Sequence, residues 1–399
     1  MFNPDLNTPK SELAERIEKL QKKLDENNIN GALILQKADL FYFTGTIQDA
    51  HLYVPCDNDP ILMIYKDLKR ARAESSIKNI VPLKNIGQIC SLLHDNGYAL
   101  PRILGMELDV LPANLYFNYK SLFEHAKIID ISHHLRLIRA VKSAYEIDII
   151  RKAAHLSDMV AGCVKDYLHE EITEIELAGK IEARARKLGH QGFVRMRLWG
   201  SELFYGHLMS GPCAAVPSYL SSPTGGTGVS PAVAQSAGLR PIQRGEPVIV
   251  DYVFVLNGYM SDHARIFALA NLPDELILAH EAMLKVQTVI KKEAKPKVKA
   301  GKLYDMALEL TKELGYEKYF MGVGDRRIRF VGHGIGLELD EYPFLAKGQE
   351  LELEKGMTIA LEPKLIFPGK GVVGIENTHV VTGNGLKQLT HFDEKICIL

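Results

Sequence analysis

The sequence predicts an α+β protein of two domains. A small N-terminal α/β domain covers residues 1–140, and residues 141–399 form a domain in which helices pack outside a curved, mostly antiparallel sheet. The first observation is the length, because 399 residues exceed what a single ordinary core holds. The second is an alternation of strand and helix patterns up to about residue 131, which is typical of an α/β domain. The third is a change after it to long capped helices that flank β-rich segments.

The N-terminal domain is predicted to begin with a helix over residues 11–26. Its apolar residues recur on one helical face, and they are Leu13, Ile17, Leu20 and Leu24. A buried strand at 32–35 follows, and then the segment Asp-Leu-Phe-Tyr-Phe-Thr-Gly at 39–45. The remaining strands are predicted at 61–65, 80–82, 103–106 and 128–131.

The second domain is predicted to begin at a helix start near residue 143. Ser143 and Glu146 have the spacing of a capping box, in which each residue satisfies a backbone N–H of the first turn. Thr173 and Glu176 repeat that spacing at the start of another helix, which is expected to end near residue 189. Two further helices are predicted at 274–292 and 302–315.

The bulk composition excludes several classes of function. The net charge of −1 provides no basic surface for nucleic acid or for a membrane. No run of roughly 18 apolar residues predicts a membrane span. The N-terminus lacks the layout of a signal peptide, and the five cysteines form no CxxC pair, which favours a reducing compartment. The sequence therefore predicts a cytoplasmic protein without nucleic-acid or membrane partners.

Five residues in the last 150 positions stand in short motifs typical of metal ligands. They are Asp251 in Val-Ile-Val-Asp-Tyr, Asp262 in Gly-Tyr-Met-Ser-Asp, His333 in Gly-His-Gly-Ile-Gly-Leu, Glu362 in Ala-Leu-Glu-Pro and Glu376 in Gly-Ile-Glu-Asn-Thr. The two aspartates flank an Asn257-Gly258 pair, which is a strong signal for a hairpin turn. Both carboxylates can therefore point to one side of two paired strands.

The order and framing of these motifs resemble the metallopeptidase family of pita-bread fold, which includes Xaa-Pro aminopeptidase, prolidase, methionine aminopeptidase and creatinase. The helix, strand and Phe-Thr-Gly turn near the N-terminus resemble the N-terminal domain of creatinase and prolidase. The resemblance implies a creatinase-like α/β domain followed by a pita-bread catalytic domain, with the five residues as metal ligands. It also implies a homodimer.

Four carboxylates in one pocket repel one another unless cations neutralise them, and two divalent ions carry the matching charge. Carboxylates with one imidazole suit Mn, which is the first expectation, with Co, Zn or Fe as alternatives. Two such ions can activate water and polarise a carbonyl. Glu362 is expected to take the proton of the attacking water.

The sequence departs from the family at three positions where those peptidases carry histidines that are not metal ligands. Ser218, Arg329 and Asp340 occupy these positions. Arg329 cannot act as a general acid, but it can bind a carboxylate or a phosphate. Asp340 can pair with Arg329, or with Arg326 or Arg327. The two residues either recognise substrate or form a solvated ion pair at the rim of the pocket.

Two further features near the predicted site, His207 and the segment 220–231, have two interpretations each. His207 is either a structural histidine or an imidazole supplied to the site from a new direction, and we include it with Ser218, Arg329 and Asp340 as a candidate substrate-binding residue. The Gly/Ser/Thr-rich segment 220–231 is either a surface excursion or a lid. His263 and His379 are expected to point away from the metals, and Trp199 is expected to be packed.

The function implied by the resemblance is that of a dinuclear metal-dependent peptidase acting on a small peptide or amino-acid derivative, with Xaa-Pro dipeptidase or aminopeptidase as the nominal activity. The lost histidines leave proline specificity open. One alternative is a creatinase-like hydrolase of another C–N bond. A second is a binding protein that keeps the fold without catalysis.

Overall fold

The computed structural model describes residues 6–399. The chain divides into two compact units, Met1–Arg139 and Ala140–Leu399. We propose, as from the sequence, that the domain boundary lies after residue 140. Residues 1–5, which belong to the N-terminus predicted to lack a signal peptide, lie outside the described residues. Over residues 6–399, none of the helices combines the length and the apolar character needed to cross a membrane.

The first unit is built around a mixed sheet. Its helices are α1 (Lys10–Glu26), α2 (Lys37–Thr44), α3 (Leu68–Glu74), α4 (Ile89–Asp95), α5 (Ala113–Leu122) and α6 (Ser132–Ala140). Its strands are β1 (Gly31–Ile34), β2 (Ala50–Pro55), β3 (Ile61–Ile64), β4 (Asn79–Pro82), β5 (Ile103–Met106) and β6 (Lys127–Asp130). The strand order is β4-β3-β2-β1-β5-β6, with β2 antiparallel to both of its neighbours and the other pairs parallel.

The predicted α/β character of this unit is confirmed. The apolar face of α1 is buried as its periodicity predicted, and Leu20 and Leu24 are almost wholly inaccessible to solvent. The strand β2 was missed. The segment 39–45 forms most of α2 and its end, where Gly45 adopts the left-handed conformation (φ 75°) that glycine accepts without steric cost.

The second unit contains the predicted long helices and many short strands. Its helices are α7 (Ala144–Cys163), α8 (Glu174–Lys187), α9 (Gly211–Ala214), α10 (Asp274–Glu293) and α11 (Ala300–Glu313). Its strands are β7 (Gly206–Ser210), β8 (Val248–Leu256), β9 (Tyr259–Ala268), β10 (Phe330–Gly334), β11 (Glu341–Ala346), β12 (Thr358–Leu361), β13 (Lys364–Phe367), β14 (Gly371–Gly374), β15 (Asn377–Thr382), β16 (Gly385–Gln388) and β17 (Cys397–Ile398).

The strands of the second unit form two larger sheets and a hairpin, with orders β11-β10-β12-β15-β16, β17-β9-β8-β7 and β13-β14. All pairs are antiparallel except β17 with β9. Helices α7 and α8 share a core with the β7–β9 sheet, and α10 and α11 share another with the β10–β12 sheet. An isolated bridge between Ala264 and Glu376 joins β9 to the segment just before β15. The α+β prediction is confirmed for this unit.

The hairpin of β8 and β9 aligns the two predicted aspartates. Asn257 (φ 49°) and Gly258 (φ 86°) both adopt the positive φ that a tight two-residue turn requires. The turn sets a register in which Asp251 pairs with Ala264 and Asp262 pairs with Val253. The hairpin predicted from the Asn-Gly pair is therefore confirmed.

The capping box at the start of α7 is present, and it leads to a stability prediction. Ser143 Oγ accepts the Glu146 N–H at 3.2 Å, and Glu146 Oε2 accepts the Ser143 N–H at 3.0 Å. We expect Ser143→Ala to lower the free energy of unfolding by about 0.5–2 kcal/mol, because a backbone donor of the first turn loses its partner. Denaturant unfolding measures the change. Ser143→Thr keeps the cap and should lose much less; an equal loss in both variants would contradict the assignment.

Candidate metal centre

The five predicted metal ligands meet around one cavity of the second unit. Asp251 lies in β8, Asp262 in β9 and His333 in β10, while Glu362 directly follows β12 and Glu376 lies between β14 and β15. All five line the same cavity. All except Asp251, which is half-buried, are buried. Strands from both larger sheets thus bring together residues that lie far apart in sequence.

His333 is held in an orientation that suits a metal ligand. Its Nδ1 lies 3.0 Å from the carbonyl oxygens of Gly334 and Leu339, so Nδ1 carries a proton and donates it. The Nε2 atom is then free to coordinate. It faces Asp262 Oδ2 and Glu362 Oε1, each at 3.7 Å.

The strand that carries Asp262 is tied to the segment that carries Glu376. The Thr378 hydroxyl accepts the Asp262 N–H and donates to the Asp262 carbonyl, both at 2.8 Å. The buried Arg265 guanidinium donates to the carbonyl oxygens of Ala264 and Glu376 at 2.8 and 2.9 Å. The same guanidinium also donates to Asn377 Oδ1 and to the carbonyl oxygens of Phe392 and Asp393. These bonds fix the backbone next to two of the predicted ligands.

Lys364 is part of the centre, and it was not predicted from the sequence. Its Nζ lies 2.8 Å from Asp251 Oδ2, 2.9 Å from Glu362 Oε2 and 2.7 Å from Glu376 Oε2. Its side chain is only 1% exposed. The signal that could have found it is its spacing from Glu362, because residues two apart in extended chain share a side.

The pKa shifts in the centre arise from burial and from the charges of the neighbouring side chains. Burial raises the pKa of Asp262 well above its ordinary value, and the charges of Glu376 and Asp251 raise it further. Burial likewise raises the pKa of Glu376 well above its ordinary value, although Lys364 opposes the shift. Burial by itself lowers the pKa of Lys364, but the three surrounding carboxylates reverse the effect, and its pKa is raised well above the ordinary value.

The residues present fit one divalent ion beside His333. Single ligand atoms of Asp262, His333 and Glu376 lie within 4.8 Å of one another. The separation of 3.7 Å between His333 Nε2 and each facing carboxylate is close to that of two atoms bound to one ion at about 2.1 Å. Between Asp251, Glu362 and Glu376, by contrast, the space is filled by the Lys364 ammonium.

Two of the four candidate substrate-binding residues line the cavity. His207 lies opposite Asp251 in the β7–β8 register, and its Nε2 has no hydrogen-bond partner among residues 6–399. Burial lowers the pKa of His207, so the ring is neutral near pH 7. Asp340 Oδ1 lies 3.7 Å from His333 Nδ1. Both side chains therefore stand where a substrate could reach them.

The other two candidates lie elsewhere. Ser218 lines a neighbouring cavity, and its hydroxyl accepts the N–H of Leu220 at 2.9 Å. Arg329 is exposed and is not among the described residues that line the metal cavity. It precedes β10, whose pairing with β11 has a register irregularity between Phe330 and His333. Counting four residues back from His333 therefore does not lead to the same face, and the structure does not bring Arg329 to the site.

This position leads to a prediction for Arg329. We expect Arg329→Ala to change kcat/KM by less than about threefold, and equally for an anionic peptide and a matched neutral peptide, because an exposed charge outside the cavity is screened by water. Steady-state kinetics on the two peptides measures it. Arg326→Ala, at an exposed arginine of the same segment, serves as the control. A selective rise in KM for the anionic peptide in Arg329→Ala alone would restore the recognition role.

The inserted segment contributes to the cavity wall. Leu220, Ser221 and Ser222 line the metal cavity, while Thr224 is wholly buried. The first residues of the insertion therefore lie against the site, which favours the lid reading over a surface excursion. The expectation for Trp199 was wrong, since its side chain is 97% exposed.

The two other histidines near the ligands lie away from the cavity. His263 Nδ1 lies 3.1 Å from the Ser157 hydroxyl of α7, on the side of β9 opposite Asp262. His379 is buried in β15 and does not line the metal cavity.

Comparison with known families identifies the chain. The family described as Metallopeptidase family M24 matches residues 148–383. The chain belongs to this family. The Creatinase/Prolidase N-terminal domain matches residues 16–141, so the chain combines the creatinase-type N-terminal domain with the M24 catalytic domain. It is a metal-dependent peptidase of the M24 family, and membership implies that it binds divalent metal.

Relatives match the M24 chain from end to end. A protein named Xaa-Pro dipeptidase from Pyrococcus furiosus is 30% identical over 390 residues, covering 96% of this chain and 100% of the relative. The solved prolidase from Pyrococcus horikoshii is 25% identical, with a TM-score of 0.79 over 95% of this chain and 99% of that one. The solved Xaa-Pro dipeptidase from Bacillus anthracis, at 24% identity, has the same fold, with a TM-score of 0.82 over 97% and 100%. These matches do not favour the creatinase-like or binding-protein alternatives.

Proposed function

We propose that the protein hydrolyses the C–N bond of a small peptide, with Xaa-Pro dipeptides as the first substrates to test. The observation that carries the proposal is the convergence of the four carboxylates and His333 on one cavity of an M24 fold. The support for dipeptides is the end-to-end match with a protein named Xaa-Pro dipeptidase. Proline specificity itself is left to experiment, because three family histidines are replaced by Ser218, Arg329 and Asp340.

We assign the metal to the side of the cavity that contains His333. Asp262, His333, Glu362 and Glu376 would hold it, with Asp251 as the fifth member of the predicted set. Carboxylate oxygens with one imidazole suit Mn first, and Co, Zn or Fe as alternatives. A bound divalent ion supplies Lewis acidity and lowers the pKa of a coordinated water.

Glu362 is assigned the role of general base. Its Oε2 accepts from Lys364 at 2.9 Å, and its Oε1 faces His333 Nε2 at 3.7 Å. The bond to Lys364 fixes the carboxylate in place, and the other oxygen points toward the metal position, where a proton can be taken from water.

The cavity offers both polar and apolar groups to a small substrate. His207 and Asp340 supply hydrogen-bonding groups at the wall. Phe330, Leu339 and Leu203 supply apolar surface for a side chain. We assign His207 and Asp340 to substrate binding and leave Ser218 and Arg329 out of this role, because the described residues that line the cavity do not include them.

Assembly and location complete the proposal. We place the protein in the cytoplasm, which suits five cysteines that are all free. A homodimer is the assembly implied by the family resemblance, and sedimentation of the purified protein measures it.

The test is a substrate screen of the Mn-loaded protein. Xaa-Pro dipeptides, Xaa-Ala dipeptides, longer peptides with proline at the second position, and creatine are compared by product analysis. We expect a dipeptide to be cleaved fastest and creatine not to be cleaved. Cleavage of creatine alone would favour the non-peptidase alternative, and the absence of all hydrolysis by metal-loaded protein would overturn the proposal.

A further inference from the structure

A buried ammonium group occupies the middle of the carboxylate cluster. A lysine has three N–H donors, and Lys364 has three carboxylate partners, Asp251, Glu362 and Glu376, at 2.7–2.9 Å. Each donor is therefore used. Both larger sheets supply the partners, since Asp251 lies in β8 and Glu362 follows β12.

An ammonium in this position excludes a metal ion from it. A divalent ion bound to the same three carboxylates would lie about 2.0–2.2 Å from their oxygens. The Lys364 nitrogen already lies at the centre of these oxygens, so the two cations compete for one place. The two cannot share it, because they would be in contact and of like charge.

Lys364 and one divalent ion together supply three of the four positive charges that would neutralise the four carboxylates of the predicted ligand set. Four of the five carboxylates that line the cavity belong to that set, and they require cations because burial denies them water. Lys364 supplies one positive charge permanently, as a covalent part of the chain. One divalent ion beside His333 supplies two more.

We propose that Lys364 takes the place of one metal ion and that the centre binds a single divalent ion, held by Asp262, His333, Glu362 and Glu376. This inference rests on the proposed metal assignment. It replaces the two ions expected from the sequence with one ion and one ammonium group. Asp251 then serves chiefly as a partner of Lys364, which it contacts at 2.8 Å.

The ligand atoms that remain for the ion are those that Lys364 does not use. Lys364 bonds Oε2 of Glu362, which leaves Oε1 facing His333 Nε2 at 3.7 Å. Asp262 has no contact with Lys364 within hydrogen-bonding distance among the described residues, and its Oδ2 faces the same imidazole nitrogen. The ammonium thus orients the Glu362 carboxylate for the one ion.

The experiment counts metal ions in the purified protein of 399 residues. Wild-type protein is equilibrated with excess Mn²⁺, freed of unbound ion by gel filtration and measured by mass spectrometry of the metal. We expect about one Mn per chain in the wild type and about two in Lys364→Ala, which opens the occupied place. Lys370→Ala removes an exposed lysine of the same hairpin and should retain one.

Electron paramagnetic resonance supplies a second readout that does not depend on activity. The wild type should give the spectrum of isolated Mn²⁺, and Lys364→Ala that of a spin-coupled pair. Lys364→Arg keeps a cation and should not gain an ion. Two coupled ions in the wild type, no bound ion in the wild type, or an unchanged single ion in folded Lys364→Ala would each overturn the inference.

The inference and the proposed function fail in different ways. One Mn per wild-type chain without hydrolysis of any peptide would overturn the function and leave the single-ion centre standing. Two Mn per wild-type chain with dipeptide hydrolysis would do the reverse. If Lys364→Ala does not fold, the wild-type count and spectrum still decide the question.

Discussion

Asp262→Ala should abolish both metal binding and peptide hydrolysis. Loss of a group that only supports a metal ligand typically weakens metal affinity 10–100-fold, so loss of a ligand should weaken it more than about 100-fold. Asp262 is buried, and its Oδ2 faces the proposed metal position. Metal titration by calorimetry and turnover of the best dipeptide measure the two effects.

The variant should stay folded, which makes the result interpretable. The bonds that fix Asp262 to Thr378 come from its backbone N–H and carbonyl, and alanine keeps both. Asp305→Ala, at an exposed position of α11, is the matched control and should keep full metal affinity. Wild-type metal affinity in folded Asp262→Ala would remove Asp262 from the ligand set.

Glu362→Gln should lower kcat by at least about 100-fold while the protein keeps part of its metal. A positioned general base contributes about 10²–10⁴-fold, and an amide cannot accept the proton. The amide oxygen can still accept from Lys364, so the arrangement of the cluster should survive. Kinetics at saturating Mn, together with the metal content of the same sample, separate the proton role from the ligand role.

The pattern of losses identifies what Glu362 does. Glu354→Gln changes an exposed glutamate in the segment before β12 and should have wild-type kcat. Turnover near the wild-type value in metal-loaded Glu362→Gln would exclude the general-base role. A fall in kcat explained wholly by lost metal would reduce Glu362 to a ligand.

Much of the fold follows from local signals in the sequence. The capping boxes at Ser143 and Thr173 mark helix starts because short side-chain bonds satisfy nearby backbone donors, and both boxes are present. The Asn257-Gly258 turn sets the β8–β9 register for a similar reason. Strand β2, which was not predicted, is flanked by neither a capping box nor an Asn-Gly turn.

The candidate site was less predictable, because its contacts join distant parts of the chain. Lys364 contacts Asp251 across 113 positions, and its two-residue spacing from Glu362, the local signal for its place in the site, does not indicate that partner. From the sequence, Lys364 would be interpreted as a surface residue, since a lysine is almost never fully buried unless it is paired. The position of Arg329 was hard to predict for another reason: its spacing from His333 suggested a shared face, but the irregular register of β10 breaks that periodicity.

The buried Arg265 has a consequence for how the catalytic unit opens. Its guanidinium joins β9, the Glu376 segment and the stretch at Phe392 and Asp393, so none of the three can separate without breaking several bonds to one buried charge. Backbone amides of β9 and of residues 376–378 should therefore exchange with deuterium together, as a single cooperative unit. Arg265→Met should split that unit into segments with different exchange rates. In wild-type protein, local opening would therefore move Asp262 and Glu376 out of the metal centre together, and closing would return both.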